Sequence, residues 1–197
     1  MKKLLFEIGT EEMPANYMPG ILTQLQELAT KKLQALAIPF QSIKVYGTPR
    51  RMAFLADGVA EAQPDSKTEF KGPSAKIAFG PDGKPSKAAL GFARGKGVAA
   101  EDLVVRDNYV YAVKQVKGAA VADLLPGLLQ DILTSISFPT KNMRWADFDF
   151  HFIRPIRWLV ALFGTEVVPV AITDVKSDRY TQGHRFLSKG KLELKEA

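Results

Sequence analysis

The chain has 197 residues, of which 46% are hydrophobic and 24% charged, and its formal net charge at pH 7 is +6. This composition is that of an ordinary globular protein, long enough to bury a core as one large domain or two small ones. The sequence contains no cysteine and no apolar run of membrane-spanning length, which excludes disulfides, thiolate catalysis, cysteine-ligated metals and a helical membrane anchor.

Residues 1–62 predict an N-terminal α+β part in the order strand, helix, strand, strand. Its first strand contains an acid and directly follows two lysines, so it is no secretory signal and we expect a cytoplasmic protein. Glu11 and Glu12 are expected to interact favourably with the positive, N-terminal end of the dipole of the following helix. The predicted elements are a strand over Leu4–Ile8, an amphipathic helix over residues 21–36, and strands near Ile43 and over Met52–Val59, on either side of the Gly47-Thr48-Pro49 turn.

Residues 63–118 predict a basic, Gly/Pro-rich insertion with a short helix and a hairpin. Ser86 is a plausible N-cap for the helix, and the hairpin turns near Asp107-Asn108. The sequence from Lys67 to Lys96 contains seven basic residues and two acids. This local excess of positive charge suggests an anionic partner such as RNA. A solvated lysine-rich loop is the alternative. Further turns are predicted at Gly72-Pro73, Gly80-Pro81 and Asp82-Gly83.

Residues 119–197 predict a helix and the core strands that complete the domain. The helix covers residues 119–136. Apolar and polar residues alternate from Ala146 to Phe152, as in a strand with one buried face, and Ile156–Phe163 is apolar enough for a strand buried on both faces. The fold class is therefore α+β, with a mixed, largely antiparallel sheet and amphipathic helices packed on it. The ending inside a further element indicates a domain truncated at its C-terminal side.

No catalytic centre is predicted. The sequence has no GxxxxGK[ST] or GxGxxG phosphate loop after a strand and no GxSxG elbow. Asp147, Asp149 and His151 would share one face of the predicted strand and could hold manganese or zinc. The solvated face of a strand with buried phenylalanines explains them better, so no metal is expected.

Arginines beside aromatic residues are the better functional signal, because this combination grips phosphates and unpaired bases. Arg50 and Arg51 follow a proline turn, where their side chains should be exposed. Arg144 precedes Trp145, and His184-Arg185-Phe186 form part of a loop. Trp158 is expected in the core.

Several longer motifs occur in the order typical of one family. They are LLFEIGTEEMP, YGTPRRMA, FKGPS, KAALGFARGKGV, MRW, FIRPIRWLVALFG and GHRFL. From Leu4 to about Leu187 the chain resembles the N-terminal portion of the beta subunit of bacterial tetrameric glycyl-tRNA synthetase.

This resemblance implies an enzyme of two alpha and two beta chains, in which the alpha subunit binds ATP, Mg and glycine. The fragment would carry no cofactor and would be noncatalytic alone. It would support tRNA binding and assembly for ATP-dependent attachment of glycine to tRNA(Gly). Its partners would be the alpha subunit, tRNA(Gly) and the rest of the beta subunit.

The fold is expected to resemble the B3/B4 region of the phenylalanyl-tRNA synthetase beta chain, without its editing activity. Two alternatives remain open: a metal-dependent hydrolase or editing-like domain using Asp147, Asp149 and His151, and a purely protein-binding scaffold. The predicted tRNA-binding residues are Arg50, Arg51, Lys71, Lys76, Lys84, Lys87, Arg94, Lys96, Arg144, His184 and Arg185.

Overall fold

The computed structural model describes residues 1–80, 84–139, 142–144, 147–188 and 190–197. The chain forms two compact units: a large unit of Met1–Gln63 with Ala119–Ala197, and a small unit of Pro64–Gly118. The helices are α1 (Met18–Ala35), α2 (Ala75–Ala78), α3 (Lys87–Lys96) and α4 (Val121–Ser135), with 3-10 turns at Ala15–Tyr17 and Ala100–Asp102. The strands are β1 (Lys2–Thr10), β2 (Ser42–Thr48), β3 (Arg51–Val59), β4 (Ser66–Ser74), β5 (Leu103–Arg106), β6 (Tyr109–Val116), β7 (Met143–Arg144), β8 (His151–Phe152), β9 (Ile156–Phe163), β10 (Glu166–Val167), β11 (Ala171–Ile172), β12 (Val175–Asp178), β13 (Tyr180–Gln182) and β14 (Lys191–Glu193).

The large unit is built on a seven-stranded sheet in the order β11-β12-β9-β1-β3-β2, with β10 also paired to β9. Strand β1 lies in the middle and pairs antiparallel with both β3 and β9, whereas β12 pairs parallel with β9. The predicted α+β class, with a mixed and largely antiparallel sheet, is confirmed. No helix within the described ranges is long and apolar enough to cross a bilayer.

One face of this sheet forms the main core with α1 and α4. Leu25 of α1 and Leu129 of α4 are fully buried against sheet residues such as Phe6 and Phe54. The apolar stripe of each helix supplies these contacts, because helical residues three or four apart share a face. Strand β9 is buried at every residue but Arg157, so the predicted doubly buried strand is confirmed.

The opposite face of the sheet carries a row of three residues from adjacent strands. Trp158 of β9 lies across from Gly9 of β1, and Gly9 lies across from Arg51 of β3. A Cβ atom at Gly9 would lie only 1.9 Å from Cε2 of Trp158. The indole therefore packs directly over the glycine backbone, which only a residue without a side chain allows.

Within residues 147–152 the alternating segment forms a strand only at His151–Phe152, which pairs antiparallel with Met143–Arg144, so the predicted long strand is wrong in this range. Ala146, at its start, lies outside the described residues. Alternation predicts which face of a strand would be buried, but not whether a neighbouring strand satisfies its backbone hydrogen bonds. Phe152 is still buried, with its ring centroid 4.7 Å from that of Phe138. Trp145 lies outside the described residues.

The small unit is a three-stranded antiparallel sheet in the order β4-β6-β5, with α3 packed on it. Among the described residues its buried core is small: Ala78, Ala89, Ala93, Val110 and Ala112 are buried. Phe79, Phe92 and Leu103 pack against it and are partly buried. Ser86 is the N-cap of α3, as predicted, and its Oγ accepts a hydrogen bond from the Ala89 N–H at 3.4 Å.

The turn predicted at Gly72-Pro73 is wrong, because both residues lie inside β4. The register of β4 against β6 shifts between Lys71 and Ser74, and a proline is tolerated at such an irregularity because it needs no ladder hydrogen bond there. The predicted turn at Asp82-Gly83, and Pro81 before it, lie outside the described residues.

Candidate functional site

The turn between β2 and β3 is fixed against the end of β1 by two backbone hydrogen bonds. The Thr10 N–H donates to the Arg50 carbonyl and the Met13 N–H donates to the Pro49 carbonyl, both at 2.8 Å. These bonds hold Arg50 and the neighbouring Arg51 at the same end of the sheet as the segment that follows β1.

A buried carboxylate organises the sheet next to this turn. Glu7 of β1 accepts hydrogen bonds from Nε1 of Trp158 at 2.6 Å, from the Thr181 hydroxyl, and from Nη1 of Arg51 at 3.4 Å. Arg51 also donates to the Thr181 hydroxyl and to the Gln182 carbonyl. A carboxylate removed from water needs such partners to stay charged, so Arg51 has a structural function here.

Beside this network lies a cavity of about 590 Å³, which we call the basic cavity. This volume suits a small ligand or part of a larger one. The guanidinium carbons of Arg50 and Arg51 lie 5.8 and 5.7 Å from the Trp158 ring centroid. Its lining includes Met13, Pro49, Arg50, Arg51, Trp158, His184, Arg185 and Phe186.

The loop after β13 forms the opposite wall of the basic cavity. Nη1 of Arg185 lies 3.4 Å from Oε1 of Glu12, and its guanidinium carbon lies 5.8 Å from the centroid of Phe186. The Phe186 residue is 83% exposed. A guanidinium group can contact a phosphate, and the exposed ring beside it can stack on a base.

Acids balance most of the positive charge around the cavity. Glu11 pairs with Arg50 at 3.8 Å and with Arg157 at 3.2 Å, while Glu12 pairs with Arg185. These ion pairs explain the two acids, since the first turn of α1 contains no acid and the predicted interaction with the helix dipole is absent. The order of these residues along the sequence does not predict the pairing.

Four of the eleven predicted tRNA-binding residues meet at the basic cavity: Arg50, Arg51, His184 and Arg185. The expected exposure of the turn is wrong, because the side chains of Arg50 and Arg51 are only 24% and 26% exposed. Both lie over Trp158, where the fixed backbone of the turn holds them. Arg144 is exposed in β7 and does not line this cavity.

The other six predicted residues lie in the small unit. Lys71, Lys76, Lys84, Lys87 and Arg94 are exposed, and Lys96 is partly buried. The Lys96 ammonium lies 4.6 Å from the centroid of the Phe70 ring. The roles of all eleven residues in tRNA binding stay predictions.

Asp147, Asp149 and His151 do not form the row of ligands that the alternative reading as a metal-dependent hydrolase requires. His151 alone of the three lies in a strand, so the two-residue spacing no longer places them on one face. Among the described residues, no group of three His, Asp or Glu side chains could hold a metal ion. The metal-dependent hydrolase therefore has no ligand set in this part of the chain.

Glu7 and Thr181 are the site residues that the sequence analysis missed. One signal was available: Glu7 is the single acid in the apolar strand segment LLFEI, and a charged residue in a buried strand needs a partner. Thr181 gave no such signal, because it lies 174 residues away from Glu7 in the chain.

Comparison with known proteins identifies the family. The family model described as glycyl-tRNA synthetase beta subunit matches residues 4–197. The chain is 50% identical over 190 residues to the glycine–tRNA ligase beta subunit of Desulfitobacterium hafniense, covering 94% of this chain and 27% of the relative. It is 47% identical over 193 residues to that of Moorella thermoacetica (96% and 28% covered) and 45% identical over 195 residues to that of Halothermothrix orenii (99% and 28%).

The chain therefore belongs to the glycyl-tRNA synthetase beta subunit family. It spans just over a quarter of the length of these relatives.

Proposed function

We propose that this chain is the N-terminal region of a glycine–tRNA ligase beta subunit. It supports tRNA binding and assembly with an alpha subunit, in the cytoplasm, for ATP-dependent attachment of glycine to tRNA(Gly). The family match over residues 4–197 carries this proposal, because it covers both units of the chain.

In this proposal the alpha subunit binds ATP, Mg²⁺ and glycine, and this chain performs no chemical step. The sequence supports that division, since no phosphate-binding loop motif occurs in it. The alpha subunit mixed with this chain alone should give only background aminoacylation, whereas the alpha subunit mixed with the complete beta subunit should charge tRNA. Full activity with this chain alone would contradict the division.

The small unit is the better candidate for contact with tRNA phosphates. Residues 64–118 contain ten basic and six acidic residues, so this unit carries +4 of the net charge of +6. Lys67, Lys76, Lys87 and Arg94 are exposed. Among the described residues, no acid forms an ion pair with these four, unlike the arginines of the basic cavity. Exposed lysines neutralise phosphate while reading little sequence, which suits a supporting role in binding.

A salt titration of tRNA(Gly) binding tests this role in the enzyme assembled from alpha and complete beta subunits. Replacing Lys67, Lys76, Lys87 and Arg94 with Ala should flatten the dependence of log affinity on log salt by about two to four units, close to one per lost phosphate contact.

The control variant removes the same charge from the large unit, by replacing Lys3, Lys44, Lys176 and Lys195, all exposed, with Ala. Its salt dependence should stay near that of the parent enzyme. If the small-unit variant kept the salt dependence of the parent enzyme, as the control variant should, the small unit would not contact phosphates. A protein-binding scaffold would then be favoured.

A further inference from the structure

The sheet of the small unit has one covered face and one face open to solvent. Strand β6 directs Val110 and Ala112 into the core, so the alternate residues Tyr109 and Tyr111 lie on the opposite face. The pairing of β4 and β5 with β6 brings further side chains onto that face. We call this surface the open face, formed by Lys67, Glu69, Lys71, Arg106, Tyr109 and Tyr111.

Several side chains of the open face are exposed to solvent. Tyr109 is 39% exposed, and the side chains of Arg106 and Glu69 are 52% and 42% exposed. A tyrosine on the central strand of a sheet is usually buried by a second layer, because its ring is large and mostly apolar. The partly exposed ring of Tyr109 is therefore available to a planar ligand.

Cations lie directly over both tyrosine rings. The Lys71 ammonium is 3.7 Å from the Tyr109 ring centroid, and the Arg106 guanidinium carbon is 5.3 Å from that of Tyr111. Glu69 accepts two hydrogen bonds from Arg106, at 3.0 and 3.3 Å, which fix the orientation of the guanidinium. The hydrogen bonds and charge of Glu69 also raise the pKa of Arg106, which stays protonated.

We propose that the open face binds an unpaired stretch of RNA. One base stacks on the Tyr109 ring when Lys71 moves from the ring to a phosphate, and another stacks on the Arg106 guanidinium. Lys67 contacts a further phosphate. Planar groups flanked by cations bind single strands in this way, because every base has a face to stack while phosphates need only positive charge. A duplex offers no free base faces here.

The charge of the small unit favours RNA over a protein partner. Its net charge of +4 attracts a polyanion, and the open face itself carries three cations and one acid. This inference rests on the proposed tRNA-binding function and adds the form of RNA that is recognised and the groups that recognise it.

Fluorescence anisotropy with short RNA probes tests the inference on the 197-residue chain. The probes are a labelled adenosine octamer and an abasic octamer with the same number of phosphates. The parent chain should bind the adenosine octamer more tightly. Tyr109→Ala should weaken binding of the adenosine octamer by about 5- to 100-fold and leave the abasic octamer unchanged, since only stacking is lost.

Two further variants separate stacking from folding and from charge. Tyr109→Phe keeps the ring and should bind both probes as the parent does. Lys71→Ala should weaken both probes to a similar extent, because it removes a phosphate contact. An equal loss for Tyr109→Phe and Tyr109→Ala, an unchanged affinity in Tyr109→Ala, or a loss shared equally by both probes would overturn the proposal.

A probe containing 4-thiouridine gives a readout that needs no substitution. Crosslinks to the parent chain should map to the peptide that contains Tyr109 and Tyr111. Crosslinks confined to other peptides, or protection of Tyr109 by the alpha subunit without any probe binding, would overturn the inference. The salt titration with whole tRNA tests the proposed function separately, because three of its four substituted residues, Lys76, Lys87 and Arg94, do not belong to the open face.

Discussion

The large and small units differ in how their cations are paired. In the large unit, Arg51 pairs with the buried Glu7, and Arg50 and Arg185 pair with neighbouring acids. In the small unit, Arg106 pairs with Glu69, but Lys76 and Lys87 project into solvent from a segment of net positive charge. An arginine-rich motif near an aromatic residue can therefore stabilise a sheet, whereas the charge of scattered, exposed lysines is available to a partner.

The two units also differ in the depth of their cores. Phe6, Phe54 and Phe152 are fully buried in the large unit, whereas the buried hydrophobic residues described in the small unit are four alanines and one valine. A 55-residue unit with so little apolar surface to bury should be marginally stable. The following substitutions test both differences.

The largest effect is expected for Glu7→Ala. Removing one partner of a buried ion pair leaves Arg51 uncompensated and the Trp158 N–H without an acceptor, which should lower the free energy of unfolding by about 3–5 kcal/mol. Glu7→Gln should cost less, because its amide oxygen still accepts from Trp158. Urea unfolding followed by circular dichroism measures both. If Glu7→Ala lowered the free energy of unfolding by less than about 1 kcal/mol, Arg51 would not be needed for stability. Its charge would then be available to a partner, like that of the exposed lysines.

A pair of glycine substitutions should act in opposite directions in the two units. Gly9→Ala displaces Trp158 from the sheet, which should lower the free energy of unfolding by roughly 1–3 kcal/mol or more. Gly91→Ala in α3 meets no atom within 4 Å and should stabilise the small unit by up to about 1 kcal/mol, since alanine favours a helix. Amide hydrogen exchange reports each unit separately. Destabilisation by Gly91→Ala would show that α3 has closer neighbours than its packing suggests.

Ser86→Ala tests how marginal the small unit is. Loss of the cap of α3 should cost about 0.5–1 kcal/mol, at the low end for such caps because the hydrogen bond is long. Exchange of the first amides of α3 should accelerate accordingly, with Ser86→Thr as the control that keeps a hydroxyl. If exchange also accelerates across β1, the units are not independent in stability.

The smallest effect is expected for the ion pair between Glu12 and Arg185. Both side chains are exposed, so each single substitution should change the free energy of unfolding by less than about 1 kcal/mol.

Arg185→Ala should flatten the salt dependence of tRNA binding by less than one unit, because Glu12 already neutralises this arginine. Glu12→Ala should instead steepen it by exposing an unpaired guanidinium. A loss of more than two units on Arg185→Ala would make the basic cavity the main phosphate site.

The sequence alone determined the elements whose signals are local. The stripe of α1, the doubly buried β9 and the cap at Ser86 follow from residues a few positions apart, and each was predicted. The strand predicted over residues 146–152 forms only at His151–Phe152 within the described range 147–152. Alternation states which face of a strand would be buried, but not whether a partner strand lies beside it.

Only the tertiary structure decided the sites. Glu7 meets Arg51, Trp158 and Thr181 across 44, 151 and 174 residues, respectively, because three strands and a C-terminal segment converge on one sheet face. The open face likewise depends on the register of β4 and β5 against β6, since a shift of one residue would turn Tyr109 into the core. Residue type fixed which chemistry was possible, and strand pairing fixed which side chains stand together to perform it.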